Sequence, residues 1–224
     1  MIILVYDTET TGLPKSKHIN IDTLHLWPYI VQFSYILYDT EKHDVLKIKD
    51  YIIKLPEHIK ISDESINIHG ITNEISQVNG CYLRPVLEEF MIYYHTADKI
   101  VCHNAMFDLN MVKVELMRII ENNKEDKFTL FLNNITSVNN VYCTMMESIK
   151  FCNIKALNKI GNVYIKYPKL SELHYKLFQD CPKNLHNSLN DVIVCLRCFY
   201  KLNTGQDILT KNEIIKILFQ ELLL

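Results

Sequence analysis

The chain predicts an α/β domain, a mixed sheet flanked by helices, and three features carry that expectation. Strand-like runs fill much of the first 54 residues, helical apolar stripes alternate with short strands after Pro85, and no internal repeat or linker divides the chain. Strands followed by alternating helices and strands build a sheet with helices on its faces. Ile2 to Val5 is a short apolar run suited to a buried strand. Residues 29–38 and 45–54 read as two more strands, and the polar stretch 39–44 between them suits a hairpin connection. A break follows at Ile66-Asn67-Ile68-His69-Gly70-Ile71-Thr72, with Thr72 placed to cap a short helix. Pro85 marks a helix start, and Val86, Leu87, Phe90, Met91 and Tyr94 recur at helical spacing. Residues 99–102 form a compact strand, and Leu109, Val112, Leu116, Ile119 and Ile120 mark a helix over 105–121. The polar, asparagine-rich stretch 124–140 reads as a loop or irregular insertion. Residues 141–143 are a weak strand, Thr144 opens a short helix, and 171–178 and 189–202 read as helices. The tail 211–224 is amphipathic, with Ile214, Ile215, Leu218 and Leu222 on one face.

Composition narrows the function classes. A chain of 224 residues, 48% hydrophobic, can bury a core without a disulfide or structural metal. Its seven cysteines are an odd number without framework spacing, and Cys195-Leu196-Arg197-Cys198 falls inside a helical pattern. Those thiols are expected to pack as small hydrophobes, as in a reducing compartment. Met1 leads straight into a strand, and no apolar run approaches the ~20 residues that span a bilayer. The expectation is an intracellular protein, cytoplasmic or nuclear, not secreted and not in a membrane. A net charge of −2 argues against coating nucleic acid over long stretches, but suits an enzyme that grips a chain end.

The chemistry lies in four acids and one histidine. Asp7 and Glu9 stand in Tyr6-Asp7-Thr8-Glu9-Thr10-Thr11-Gly12-Leu13, at the end of the first strand. Residues i and i+2 of a strand share a face, so the two carboxylates project to one place. They repel unless a cation lies between them or one is neutral, and hard oxygen ligands suit magnesium or manganese. Asp108 closes the block His103-Asn104-Ala105-Met106-Phe107-Asp108, and His186 precedes Asp191 by five residues. Singly each reads as ordinary: Asp7 as a turn residue, Asp108 and Asp191 as first-turn helix acids, His186 as a loop histidine.

Taken in order, these blocks resemble the DEDDh branch of the DnaQ-like 3′–5′ exonucleases, whose fold is ribonuclease H-like with a five-stranded mixed sheet. The resemblance covers roughly residues 2–202, and includes His69-Gly70-Ile71-Thr72 and Pro168-Lys169-Leu170-Ser171-Glu172-Leu173. It implies an exonuclease domain over 1–204, with 205–224 a helical extension of the same domain. It also implies that Asp7, Glu9, Asp108 and Asp191 hold two Mg2+ or Mn2+ ions about 4 Å apart. His186 is then the general base toward the attacking water, and the products are 5′ nucleoside monophosphates. Thr10, Gly12 and Leu13 match the turn that meets the terminal nucleotide. Gly12 there allows close approach or positive φ, and Leu13 is either a wedge against the base or core. Asn104 contacts substrate or caps the next helix, and His69 borders the site.

The substrate implied is a nucleic acid 3′ end, single-stranded DNA ahead of RNA, in repair, degradation or proofreading in trans beside a polymerase. A 3′–5′ exoribonuclease is the nearest alternative, and an inactive nucleic-acid-binding module a distant one. Lys150, Lys155, Lys159, Lys166, Lys169, Lys176 and Lys183 face only Glu172 and Asp180 in their stretch. They form either a phosphate-guiding lip, with Tyr164 and Tyr167 stacking bases, or a solvated helix face. The last helix either packs back on the domain or makes a homodimer contact.

Overall fold

A computed structural model describes residues 1–123, 126–136 and 140–223. The first strand, β1 (Ile2–Thr10), lies at the centre of a five-stranded sheet. On one side it pairs antiparallel with β2 (Ile30–Asp39), which pairs antiparallel with β3 (Asp44–Ile52). On the other it runs parallel to β4 (Lys99–Cys102), and β4 runs parallel to β5 (Val141–Cys143). The predicted mixed sheet is therefore present.

Helices cover both faces. Between β3 and β4 lie α1 (Asp63–His69), α2 (Asn73–Asn79) and α3 (Leu83–Thr96). Between β4 and β5 lie α4 (Ala105–Asn123) and α5 (Asp126–Thr136). After β5 come α6 (Thr144–Glu147), α7 (Ile149–Cys152), a hairpin of β6 (Lys155–Leu157) and β7 (Val163–Ile165), then α8 (Leu170–Phe178), α9 (Ser188–Thr204) and α10 (Glu213–Glu221). Strand alternation divides β1 between two cores. Leu4 and Tyr6 join Phe33, Tyr35, Phe90 and Leu109 on one face, where the rings of Tyr6 and Phe33 meet Phe90 edge-on at 5.0 and 4.8 Å. Ile3 and Val5 join Ile36, Val101, Val192 and Leu196 on the other, under α9.

Several expectations need correction. The stretch 124–140 contains α5, not a loop: Phe128, Phe131 and Ile135 are buried at helical spacing, and that stripe outweighs the asparagines beside it. Positions 124, 125 and 137–139 of that expectation lie outside the described residues. The break at Ile66 instead belongs to α1, which runs to His69 and ends on left-handed Gly70. Thr72 does cap the next helix, accepting from the Ile75 N–H. The hairpin β6–β7 had no counterpart in the sequence reading, because its strands are three residues long.

The last helix packs back on the domain through Ile215, Phe219 and Leu222, while Ile214 is exposed. Arg197 fixes it there. Its guanidinium stacks on Phe178 and Phe219, donates to both oxygens of Asp207, and reaches Asp180 and buried His174. Burial, with that cation adding to it, pushes His174 down to about 4. Cys195 and Cys198 are buried thiols, as expected. No described helix is long and apolar enough to cross a membrane.

Candidate active site

The site opens where β1 loses a neighbour. Pairing to β4 stops at Val5, whereas pairing to β2 continues to Thr10. Asp7 and Glu9 continue the face of Ile3 and Val5, beneath the N-terminal end of α9. Thr8 points to the other face and meets Asp108 in the first turn of α4: its N–H and its hydroxyl both donate to Asp108 Oδ1, at 3.0 and 2.8 Å. Asp108 therefore reaches the site through the splay between β1 and β4.

Asp191 arrives on the first turn of α9, whose cap is Asn187. Ser188 ties that helix to the strand pair: its hydroxyl donates to the Asp7 carbonyl at 2.7 Å, and its N–H donates to Gln32 Oε1. Gln32 lies opposite Glu9 in the register and is itself oriented by Asp50. His186 sits exposed in the loop before α9, with a left-handed φ of 73°. A non-glycine residue there carries strain on the order of 1–3 kcal/mol. Asp191 helps hold it, since Oδ2 accepts the His186 N–H at 3.1 Å. Donor atoms of Glu9, His186 and Asp191 all lie within 4.8 Å of one another.

Electrostatics ties the acids into one group. Burial, then repulsion from Asp108, Asp191 and Glu9, raises Asp7 well above the usual carboxylate range. Burial, then Asp191 and Asp108, pushes Glu9 up to about 8. Burial lifts Asp108 to about 7 against the two Thr8 bonds, and lifts Asp191 to about 7 against the His186 N–H. Carboxylates so placed bind protons far more tightly than free ones, and a bound cation would offset the same repulsion. Asp191 Oδ1 is buried and accepts no hydrogen bond. An orphaned buried carboxylate oxygen among acids, with one histidine beside them, fits a hard divalent ion.

The predicted substrate residues line the adjoining turn. Thr10 is buried and its hydroxyl donates to the Gly12 carbonyl. Gly12 does not adopt positive φ, and a Cβ there would meet nothing closer than Ser62 Oγ at 3.9 Å, so left-handed geometry is not its reason. Leu13 is 80% exposed, which excludes core packing. His69 braces this turn: Nδ1 accepts the Ile71 N–H, so Nε2 carries the proton and donates to the Thr10 carbonyl. Asn104 is exposed with φ 67°, at the junction of β4 and α4.

Sequence reasoning missed Thr8, Ser188 and Gln32 as positioning residues. Thr8 was legible as the residue between the two acids that must point to the opposite face; Gln32 becomes relevant only through the β1–β2 register. His103 is a further bridge. Its Nε2 donates to the Pro168 carbonyl at 3.0 Å, its Nδ1 faces Thr144 Oγ1 at 2.9 Å, and burial pushes it down to about 4.

A family model described as RNase_T, exonuclease, matches residues 4–199. The chain belongs to that family. The family is that of the DnaQ-like 3′–5′ exonucleases, and the fold is ribonuclease H-like. Escherichia coli exonuclease I in complex with a dT13 oligonucleotide is 15% identical with a TM-score of 0.62, over 91% of this chain and 42% of that one. Exonuclease I of Methylocaldum szegediense is 13% identical with a TM-score of 0.59, over 92% and 41%. A 3′-exonuclease, solved for 3′-end-specific recognition of a histone mRNA stem-loop, is 12% identical with a TM-score of 0.58, over 92% and 83%. This chain thus spans less than half the length of the exonuclease I chains it matches. No curated protein sequence matches the chain.

Proposed function

We propose that this family member removes nucleotides one at a time from the 3′ end of single-stranded DNA, releasing 5′ nucleoside monophosphates. The observation that supports the reading is the cluster of Glu9, His186 and Asp191, whose donor atoms lie within 4.8 Å of one another, with Asp7 and Asp108 close enough for their charges to act on the same group. Asp7, Glu9, Asp108 and Asp191 would hold two Mg2+ or Mn2+ ions, which supply Lewis acidity to the phosphate and acidify the attacking water. A ring nitrogen of His186 takes the proton from that water, and Asp191 keeps the His186 loop in place through its backbone N–H. Thr8 and Ser188 fix the helices that carry Asp108 and Asp191 against β1. Leu13 stands free to wedge against the terminal base, and Asn104 to contact the nucleotide. Residues 1–204 form the nuclease unit, and 205–224 extend the same domain, since Ile215 and Phe219 share the core of α9.

The dT13 bound to the matching E. coli exonuclease I favours DNA. An exoribonuclease reading rests on the 3′-exonuclease of the histone mRNA stem-loop, whose length this chain covers far more fully. The test is a degradation ladder. Labelled at the 5′ end, DNA and RNA oligomers of one sequence are incubated with Mg2+ and either the wild type or Asp7→Ala. A single-nucleotide ladder on DNA, absent with the variant, supports the proposal. A faster ladder on RNA transfers the function to RNA, and no ladder on either polymer overturns the reading.

A further inference from the structure

We propose that the β6–β7 hairpin is a guide for the single strand upstream of its 3′ end, with Tyr164 and Tyr167 stacking bases and nearby lysines on the phosphates. The inference rests on the nuclease reading above and gives that site its strand-gripping surface.

The hairpin covers no core. By alternation Lys155, Leu157, Val163 and Ile165 face one side, and Ala156 and Tyr164 the other. Leu157 is 68% exposed, Ile160 at the tip 79% and Tyr167 59%, and Val163, Tyr164 and Ile165 are also exposed. Two strands alone are marginal in water, so burial is not what retains this element. Local devices build it instead. Asn158 Oδ1 accepts the N–H groups of Ile160 and Asn162, Asn158 N–H donates to the Asn162 carbonyl, and Gly161 takes φ 83°. At the base, Lys166 N–H donates to the Ile154 carbonyl, and Glu172 holds both the Lys166 ammonium and the Lys169 N–H. The exposed side chains are thus presented on a fixed frame.

Its place is the rim of the active site. Pro168, next to Tyr167, accepts the His103 hydrogen bond. His103 ends the strand whose next residues are Asn104 and the helix of Asp108. Charge then selects the occupant. Lys150, Lys155, Lys159 and Lys176 are exposed and make no salt bridge among the described residues, while Lys169 lies beside Glu172. The two acids of residues 150–183 are engaged elsewhere: Glu172 with Lys166, and Asp180 with His174 and Arg197. Exposed tyrosines for stacking and exposed lysines for phosphates, Lys155 on one face of the hairpin and Tyr164 on the other, are the groups with which proteins bind single strands without sequence preference.

The experiment is binding without turnover, by fluorescence anisotropy of 5′-labelled dT4 and dT20 with Ca2+ in place of Mg2+. It therefore reads strand affinity even if hydrolysis were absent. The wild type is expected to hold dT20 more tightly than dT4. Tyr164→Ala/Tyr167→Ala should lower dT20 affinity about tenfold or more, since each stacked base is worth that order. Independently, Lys155→Ala/Lys159→Ala should reduce the slope of log K against log salt by about 0.7 per lysine that meets a phosphate. Wild-type dT20 affinity and salt slope in both double variants would overturn the proposal. So would a dimer, seen by sedimentation, that Leu157→Glu/Val163→Glu dissolves while dT20 affinity stays intact; the hairpin would then be a protein contact.

Discussion

Asp191→Asn should make the metal-free protein more stable at alkaline pH while abolishing hydrolysis. The folded carboxyl titrates at about 7 rather than 3.8, because it is buried. A group whose folded value is raised binds its proton more tightly when folded. Its contribution is therefore most favourable below pH 3.8 and is lost as pH rises toward about 7. A tenfold change in proton affinity is worth about 1.36 kcal/mol, so the full ionisation penalty is roughly 4 kcal/mol. The amide of the variant keeps an oxygen that accepts the His186 N–H and puts an uncharged NH2 where the other oxygen accepts nothing. Recovering half of the penalty, roughly 2 kcal/mol, should raise Tm by about 4–8 °C in a chain of this size. The assay is thermal unfolding in EDTA at pH 5 and pH 8.5. The gain should be full at pH 8.5 and less than half as large at pH 5, where the folded group holds its proton but the unfolded one has already lost it. Mg2+ at about 100 times its Kd should restore roughly 2.7 kcal/mol to the wild type at pH 8.5 and much less to the variant. A variant less stable than wild type at pH 8.5 in EDTA, or a difference independent of pH, would falsify the reasoning.

Replacing His186 with Ala should lower kcat by about 10²–10⁴, the usual worth of a positioned base. Single-turnover rates in Mg2+ read this, and a loss below tenfold would remove His186 from proton transfer. Leu13→Ser should leave Tm within about 0.5 kcal/mol equivalents, because the side chain is exposed. KM for oligonucleotides should nevertheless rise, and an unchanged KM would count against the wedge. Phe131→Ala should cost about 3–5 kcal/mol in urea titration, as for a fully buried ring. A cost near zero would mean that α5 does not pack on Phe90 and Tyr94.

The acids and the histidine proposed for the chemistry could be named from the sequence by their types and order, and the i, i+2 rule places Asp7 with Glu9 on one face. The sheet was legible from the apolar runs of residues 2–5, 29–38 and 99–102, whose side chains are largely buried. Elements without a strong period were not. The asparagines around α5 concealed the stripe Phe128, Phe131 and Ile135, and β6 and β7 are too short for alternation to register.

What the sequence determined by itself is the family, the sheet and the five side chains proposed for the chemistry, since each depends on residue identity and short-range spacing. Tertiary structure alone decided how they act together. Pairing to β4 ends at Val5 and lets Thr8 reach Asp108, and Ser188 and Gln32 dock α9 onto β1 and β2. Burial then raises the carboxylates, while the fold leaves Leu13 in solvent and bonds Pro168, after the hairpin, to His103. The physical reason is that desolvation and repulsion depend on distances between residues up to 184 positions apart, and only the folded chain sets those distances.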